Sequence, residues 1–108
     1  MNNIIEDFAK AWNELDPELI INHLDPAVRY DSMWVFEYLD YSGYCDYIRG
    51  KFITLKERGC QLKAKAIKGS PDYGIIEIIQ TLKDKEDKIY YHIKIENGKV
   101  IKGDLSAF

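Results

Sequence analysis

The chain has 108 residues, 46% of them hydrophobic, and a formal net charge of −3 at pH 7. This length suits one domain with its own core and leaves no room for a second domain. The acidic balance and the scattered lysines exclude the basic stripe that is typical of nucleic-acid-binding proteins. Glu6 and Asp7 interrupt any early apolar run, and no run approaches the roughly 20 residues of a membrane span. We therefore expect a cytoplasmic protein that binds neither nucleic acid nor membrane.

Metal-binding and nucleophilic motifs are missing from the sequence. Cys45 and Cys60 lack CxxC spacing, and His23 and His92 lie far from them and from each other. This pattern predicts neither a zinc site nor a disulfide framework. The sequence also lacks a glycine-rich phosphate loop and a serine-centred nucleophile elbow. We expect no metal and no cofactor.

Two helices are predicted before the first strand. Apolar residues recur at helical spacing over residues 4–14, which predicts a first helix. Asp16 and Pro17 favour a second helix, since aspartate is a good cap and proline fits the first helical turn. We expect this helix to end at Asp25, because the residue before Pro26 is pushed out of the helical region.

The middle of the chain predicts a strand pair and a long helix. Alternation indicates short strands over residues 27–31 and 34–39, and helical spacing indicates a helix over residues 44–58. Gly59 fits the left-handed position that ends many helices. Gly50 lies inside the helix, where glycine costs about 1 kcal/mol relative to alanine, and either a close helix contact or chance would explain it.

From residue 61 onward the pattern is that of an antiparallel sheet. A polar loop is predicted over residues 83–87, and Asn97-Gly98 is a strong two-residue hairpin signal. The predicted strands cover residues 61–68, 75–82, 88–96 and 99–105. Such strands bury one face only if something covers it, and the helices are the available cover. The sequence thus predicts an α+β domain whose sheet curls around helices and leaves a cavity suited to a small molecule.

This order of elements resembles the nuclear-transport-factor-2-like superfamily, in particular its SnoaL-like branch. The matching pieces are AWNELDPELIINHLDPAVRYDS, Gly43 before the long helix, and IKIENGKVIKGD in the closing hairpin. The resemblance implies a cone, in which a strongly curved antiparallel sheet wraps around three helices and encloses an internal pocket. It also implies a homodimer formed through the outer face of the sheet, to which Ile76, Ile78 or Ile89 would contribute.

The ketosteroid isomerases of the superfamily offer the sharpest comparison of site residues. Their general-base aspartate ends the first strand, a position that falls on Asp31. Their phenol donor falls on Phe8, which has no donor. The strand of their second donor offers Tyr90, Tyr91 or His92 here and no acid. One role of three is matched, so the resemblance does not predict ketosteroid isomerisation.

Asp31, Tyr91 and His92 are the catalytic candidates. Inside an apolar cone, Asp31 could act as an acid or base near neutral pH, although it could instead cap a turn with Ser32. His92 can transfer protons, but it shares an alternation face with Lys94 and is expected to face solvent or a dimer partner. Tyr91 lies on the apolar face, where it could offer its hydroxyl to a ligand or simply pack.

Aromatic side chains are the candidates for walls around a flat ligand. Core filling is the stronger interpretation for some of them, whereas Trp34 follows a turn at the expected pocket mouth. The ligand-binding candidates are Phe8, Trp12, Trp34, Tyr47 and Phe52.

Three functional hypotheses follow, because one fold serves many functions. The first is a non-catalytic homodimeric domain that binds a small apolar or aromatic molecule. The second is a proton-transfer enzyme of the isomerase, cyclase or dehydratase type, in which Asp31 is the acid or base and Tyr91 or His92 polarises a carbonyl. The third, implied by the resemblance, is a module that binds a protein partner, such as an antagonist of a bacterial toxin.

Overall fold

Helices come first in the chain and strands dominate its second half. The computed structural model describes residues 3–32 and 37–107. The helices are α1 (Asn3–Glu14), α2 (Glu18–Ile21) and α3 (Tyr41–Glu57), and the strands are β1 (Leu24–Ser32), β2 (Gln61–Ser70), β3 (Tyr73–Leu82), β4 (Lys85–Glu96) and β5 (Lys99–Ala107). Trp34 and the first half of the predicted strand over residues 34–39 lie outside the described residues. Leu39 is described, and it forms an antiparallel bridge with Tyr30 of β1.

The five strands form one curved sheet in the order β1-β5-β4-β3-β2. The pairs from β2 to β5 are antiparallel, as predicted, but β1 runs parallel to β5. A parallel pair needs a long connection, and here α3 and three strands separate the two partners in sequence. Register shifts interrupt the β1–β5, β2–β3 and β4–β5 pairs. Irregularities of this kind bend a sheet.

The second helix is shorter than predicted. It ends at Ile21, and β1 begins at Leu24, so Asp25 and Pro26 lie within a strand. The Asp25 carboxylate accepts a hydrogen bond from the Ala27 backbone amide at 2.8 Å. The register of β1 shifts in this part of the strand, so Pro26 removes no regular ladder hydrogen bond.

The long helix begins earlier than predicted, whereas its end is close to the expected one. Asp40 is the cap, and its carboxylate accepts a hydrogen bond from the Gly43 backbone amide at 2.9 Å. The helix therefore starts at Tyr41, and Gly43 lies in its first turn. Gly59 follows the helix with a φ of 69°, the left-handed conformation predicted for it.

The β3–β4 hairpin is tighter than predicted. Lys83 and Asp84 alone form the turn, and Leu82 pairs directly with Lys85. Residues 85–87 belong to β4, although their charged side chains are exposed on both sides of the strand. Such a segment shows no alternation, so it looks like a loop in the sequence.

The core lies between the helices and one side of the sheet, here called the inner face. Trp12 of α1 meets Phe52 of α3 edge to face, with ring centroids 4.9 Å apart. The prediction that isoleucines of β3 and β4 form an outer dimer patch is wrong, because alternation sends them inward: Ile76, Ile78 and Ile89 are all fully buried. No helix among the described residues has the length and apolar character needed to cross a bilayer.

Candidate functional site

A cluster of tyrosines fills the part of the core beneath α3. We call Tyr30, Tyr44, Tyr47 and Tyr91 the tyrosine cluster. The rings of Tyr30 and Tyr44 are stacked, with centroids 4.1 Å apart and planes 7° apart. Tyr91 hydrogen-bonds through its hydroxyl to Tyr44, and Tyr47 packs its ring 5.6 Å from that of Tyr30. The cluster therefore joins β1, β4 and α3.

Gly103 of β5 makes room for this cluster. A Cβ atom at position 103 would lie only 2.5 Å from the Tyr91 hydroxyl oxygen, a distance that real Cβ atoms essentially never show. Burial raises the pKa of Tyr30 and of Tyr44 well above the usual value, and the neighbouring Tyr91 acts in the same direction. Burial also raises the pKa of Tyr91. These phenols stay protonated at neutral pH, so they are hydrogen-bonding groups rather than bases.

An open cleft lies beside the tyrosine cluster, between α3 on one side and Cys60 and the end of β3 on the other. Its volume is about 610 Å³. We call it the α3 cleft, and it is lined by Asp46, Tyr47, Gly50, Lys51, Thr54, Leu55, Arg58, Cys60, Gln80 and Leu82. Tyr47 borders both the cleft and the tyrosine cluster, so the cleft reaches the aromatic interior.

Helical periodicity builds one wall of the α3 cleft. Tyr47, Lys51 and Arg58 are four and seven residues apart, so they lie along one side of α3. Gly50 lies on the same wall, and a Cβ atom there would meet no other atom within 4 Å. The structure thus shows no close helix contact at Gly50, and the missing side chain instead leaves the cleft open.

Gln80 supplies a buried polar atom on the opposite wall. Alternation along β3 places it on the inner face, in the same row as Ile76 and Ile78. Its side-chain oxygen Oε1 is buried and accepts no hydrogen bond from any described residue. A buried polar atom that receives no hydrogen bond costs about 1–3 kcal/mol. A donor bound in the cleft would remove that penalty.

Lys51 brings a partly desolvated cation to the same space. Burial lowers its pKa. Its Nζ atom lies 5.9 Å from the centroid of the Tyr47 ring, within the range of a cation–π interaction. The cleft thus combines an aromatic ring, a half-buried amine and a buried amide oxygen.

Asp31 lies on the other side of the sheet, here called the outer face. Its neighbours Tyr30 and Ser32 turn inward and are buried, so alternation directs Asp31 outward. Its carboxylate accepts a hydrogen bond from Arg29 Nε at 3.1 Å, and the side chain is 32% exposed. The acid that the resemblance aligns with a general base therefore lies outside the α3 cleft.

The other catalytic candidates point to opposite faces. Tyr91 is fully buried in the tyrosine cluster. His92 is on the outer face, as its alternation indicated, and its Nδ1 lies 2.8 Å from the Tyr73 hydroxyl. There it lines an outer groove of about 370 Å³ with Tyr73, Ile93, Lys94, Lys102, Asp104 and Ser106. The structure does not bring Asp31, Tyr91 and His92 into one site.

The aromatic candidates also separate. Phe8, Trp12 and Phe52 are buried core residues, as the core-filling interpretation of the last two predicted. Trp34 lies outside the described residues. Tyr47 is the described aromatic candidate that lines the α3 cleft.

Several cleft residues were missed in the sequence. Gln80 gives a signal that can be recognised afterwards, because it is a polar residue in a row of inward isoleucines. Lys51 follows Tyr47 by one helical turn, but a lysine on a helix is usually just solvated. Its place in a cleft became visible only once β3 was positioned against α3.

Comparisons with known proteins define the fold. No family model matches the chain, and no curated protein matches it in sequence. Among solved structures, a nuclear-transport-factor-2-like protein of unknown function from Cytophaga hutchinsonii has a TM-score of 0.78 at 11% identity, covering 100% of this chain and 99% of that one. A SnoaL-like protein of unknown function from Burkholderia thailandensis has a TM-score of 0.76 at 14% identity, covering 100% and 98%.

A de novo designed protein with a curved β-sheet is also similar, with a TM-score of 0.75 at 16% identity over 100% of this chain and 88% of that one. At such low identities the similarity concerns the fold alone. The chain has the nuclear-transport-factor-2-like fold, as its resemblance to that superfamily implied. One fold can serve many activities, so function has to be argued from the site.

Proposed function

We propose that this protein is a non-catalytic domain that binds a small apolar or aromatic molecule in the α3 cleft. The observation that carries the proposal is the buried Oε1 atom of Gln80, which accepts no hydrogen bond from a described residue, in a cleft bordered by the Tyr47 ring. Binding sites for small molecules are typically concave, largely apolar and equipped with a few polar groups.

The dimensions and walls of the cleft support this proposal. Its volume of about 610 Å³ lies within the usual range of small-molecule sites, roughly 300–1,000 Å³. Leu55 and Leu82 provide apolar surface, and the Tyr47 ring can pack against a flat ligand. Gly50 keeps the middle of the α3 wall free of side-chain atoms.

The proposal is tested with N-phenyl-1-naphthylamine, a neutral aromatic dye whose fluorescence rises in apolar sites. We expect saturable binding to the wild type and a large loss of affinity in Gly50→Leu, because the leucine side chain enters the cleft. Gly50→Ala is the matched control, since it adds one carbon at the same position and should keep most of the affinity. Absence of saturable binding, or equal affinity in Gly50→Leu, would refute the proposal.

We also propose that the protein forms a homodimer through the outer face of the sheet. Ile75 and Tyr73 of β3 are only half buried there, and the outer groove adjoins them. The groove carries both Lys102 and Asp104, and a two-fold interface can pair such opposite charges between copies. Light scattering should give a dimer for the wild type and a monomer for Ile75→Lys. Ile67→Lys, at an exposed position of β2, is the control and should remain dimeric.

The proton-transfer and protein-partner hypotheses are not part of this proposal. Among the described residues, Asp31 and His92 lie on the outer face whereas Tyr91 is enclosed in the core, and Asp31 does not line the outer groove beside His92. An antagonist function remains a hypothesis of the resemblance, with no residue of the site arguing for it.

A further inference from the structure

We infer that the ligand of the α3 cleft is an aromatic carboxylate that also carries a hydrogen-bond donor on its ring. In this arrangement, Lys51 and Arg58 bind the carboxylate, Tyr47 packs against the ring, and Gln80 accepts the donor. The inference rests on the proposed function and specifies its ligand class.

The charge of the cleft differs in sign from that of the whole chain. The cleft is lined by two cations, Lys51 and Arg58, and one carboxylate, Asp46, whereas the chain carries a net charge of −3. The opposite wall contributes Cys60, Gln80 and Leu82, none of them a formally charged residue. The charged residues facing a ligand are thus positive in sum, which favours an anion.

Of the two cations, the half-buried Lys51 should attract a bound carboxylate more strongly. Its partial burial weakens solvation of the ammonium group and lowers the pKa of Lys51. Coulomb attraction is stronger where water is displaced, so a carboxylate beside Lys51 is attracted more strongly than one beside a fully solvated lysine. The same contact would raise the pKa of Lys51 when ligand binds.

Arg58 is placed to act on the same anion. It lies two helical turns from Lys51, roughly 10 Å along the axis of α3, a span that two long side chains can close around one group. Among the described residues, no carboxylate forms an ion pair with Arg58, whereas Arg49 on another side of α3 pairs with Glu18. A guanidinium can bind a carboxylate through two parallel hydrogen bonds.

Gln80 adds a second requirement. Its buried Oε1 accepts hydrogen bonds and receives none from a described residue. A hydroxyl or amino group on the aromatic ring would satisfy it. A ring without a donor can still pack in the cleft but gives this oxygen no hydrogen bond, so the site favours an aromatic ligand that carries a donor.

Three related probes separate these contributions in calorimetric or NMR titrations. 4-Hydroxybenzoate carries both the carboxylate and the donor, 4-hydroxybenzamide lacks the charge, and benzoate lacks the donor. We expect 4-hydroxybenzoate to bind about tenfold more tightly than either analogue, the scale of one hydrogen bond to a charged or buried group. Its affinity should also fall as salt concentration rises.

Variants of the cleft then assign each preference to a residue. Lys51→Met should abolish the advantage of 4-hydroxybenzoate over the amide, and Lys51→Arg should restore most of it. Lys56→Met is the control, because it removes the same charge from another side of α3. It should leave the advantage of 4-hydroxybenzoate over the amide unchanged. Gln80→Leu should remove the advantage of 4-hydroxybenzoate over benzoate. Thermal unfolding of each variant checks that the fold is retained.

The outcomes distinguish this inference from the proposed function. Equal affinities for 4-hydroxybenzoate and 4-hydroxybenzamide, or a preference that survives Lys51→Met, would overturn the inference. Binding of N-phenyl-1-naphthylamine in the cleft without binding of 4-hydroxybenzoate would also overturn it and leave the proposed function intact. Absence of binding by every probe would reject both.

Discussion

The hydroxyl groups of Tyr44 on α3 and Tyr91 on β4 hydrogen-bond to each other, and both side chains are completely buried. This contact ties the long helix to the centre of the sheet through polar atoms that water does not reach. Each hydroxyl depends on the other, because an unpaired buried hydroxyl is unfavourable in a protein interior. The pair therefore holds α3, and with it one wall of the α3 cleft, in place.

Removing one hydroxyl of this pair should lower the free energy of unfolding by more than half of the loss caused by removing both. Tyr91→Phe leaves the Tyr44 hydroxyl without its partner and should lower the free energy of unfolding by about 1–3 kcal/mol. The double variant Tyr44→Phe/Tyr91→Phe should lose less than the sum of the single variants. Urea unfolding of all four proteins gives this coupling, and strict additivity would show that the hydroxyls are energetically independent.

The tyrosine cluster should also make the protein sensitive to high pH. Burial raises the pKa of Tyr30 and Tyr44 above the ordinary value of 10.0. In the unfolded chain these phenols lose protons above that value while the folded protein retains them. The stabilisation is therefore full below pH 10.0 and declines as pH rises from there towards the folded pKa values.

Phenolate absorbance and circular dichroism, followed together during an alkaline titration, test this pH dependence. The buried tyrosines should ionise only as the protein unfolds, so the last part of the phenolate signal should coincide with loss of structure. The Tyr44→Phe/Tyr91→Phe protein should show a weaker fall of stability above pH 10.0. Complete phenolate formation in a protein that is still folded would contradict the burial of these groups.

Gly50 offers a test of whether the open cleft is maintained at the expense of stability. Gly50→Ala adds a methyl group that meets no described atom within 4 Å beyond its chain neighbours and its own helix backbone. Alanine favours a helix interior by about 1 kcal/mol over glycine. We expect a gain of about 0.5–1 kcal/mol in the free energy of unfolding. Gly59→Ala is the control and should lower the free energy of unfolding, since the φ of 69° at Gly59 disfavours a side chain. Destabilisation by Gly50→Ala would mean that α3 packs more closely there than the structure shows.

Asp31→Asn should change little. The carboxylate is on the outer face and pairs with a largely exposed Arg29, and such surface pairs contribute about 0–1 kcal/mol. We expect nearly unchanged thermal stability and unchanged affinity for N-phenyl-1-naphthylamine. Loss of turnover on any substrate that the wild type converts would instead support the enzyme hypothesis, with Arg29→Gln showing whether the ion pair or the acid itself is responsible.

The sequence predicted most elements because their signals are local. Helical spacing identified α1 and α3, and the positive φ of Gly59 followed from its place after a helix. The parallel pairing of β1 with β5 had no such signal, because it joins Tyr30 to Gly103, far apart in the chain. The two-residue turn at residues 83–84 was missed because charged residues surround it.

The site was harder to predict than the fold, since it depends on which way each strand faces. A shift of one residue in a strand exchanges its two faces, and that choice decides the environments of Asp31 and Gln80. Tyr47 was a ligand-binding candidate because an aromatic on a helix is visible in the sequence, and the structure places it on the wall of the α3 cleft. Gln80 could not be recognised in the sequence, because the burial of its side-chain oxygen depends on residues that are distant in the chain.

The most direct test of the central claim is an NMR titration of the amide-labelled protein with N-phenyl-1-naphthylamine and with 4-hydroxybenzoate. We expect saturable shifts that centre on the backbone amides of Tyr47, Gly50 and Gln80, and that disappear in Gly50→Leu. Shifts centred instead on Tyr73 and His92 of the outer groove would contradict the assignment of the ligand site to the α3 cleft, and so would the absence of saturable shifts with both compounds.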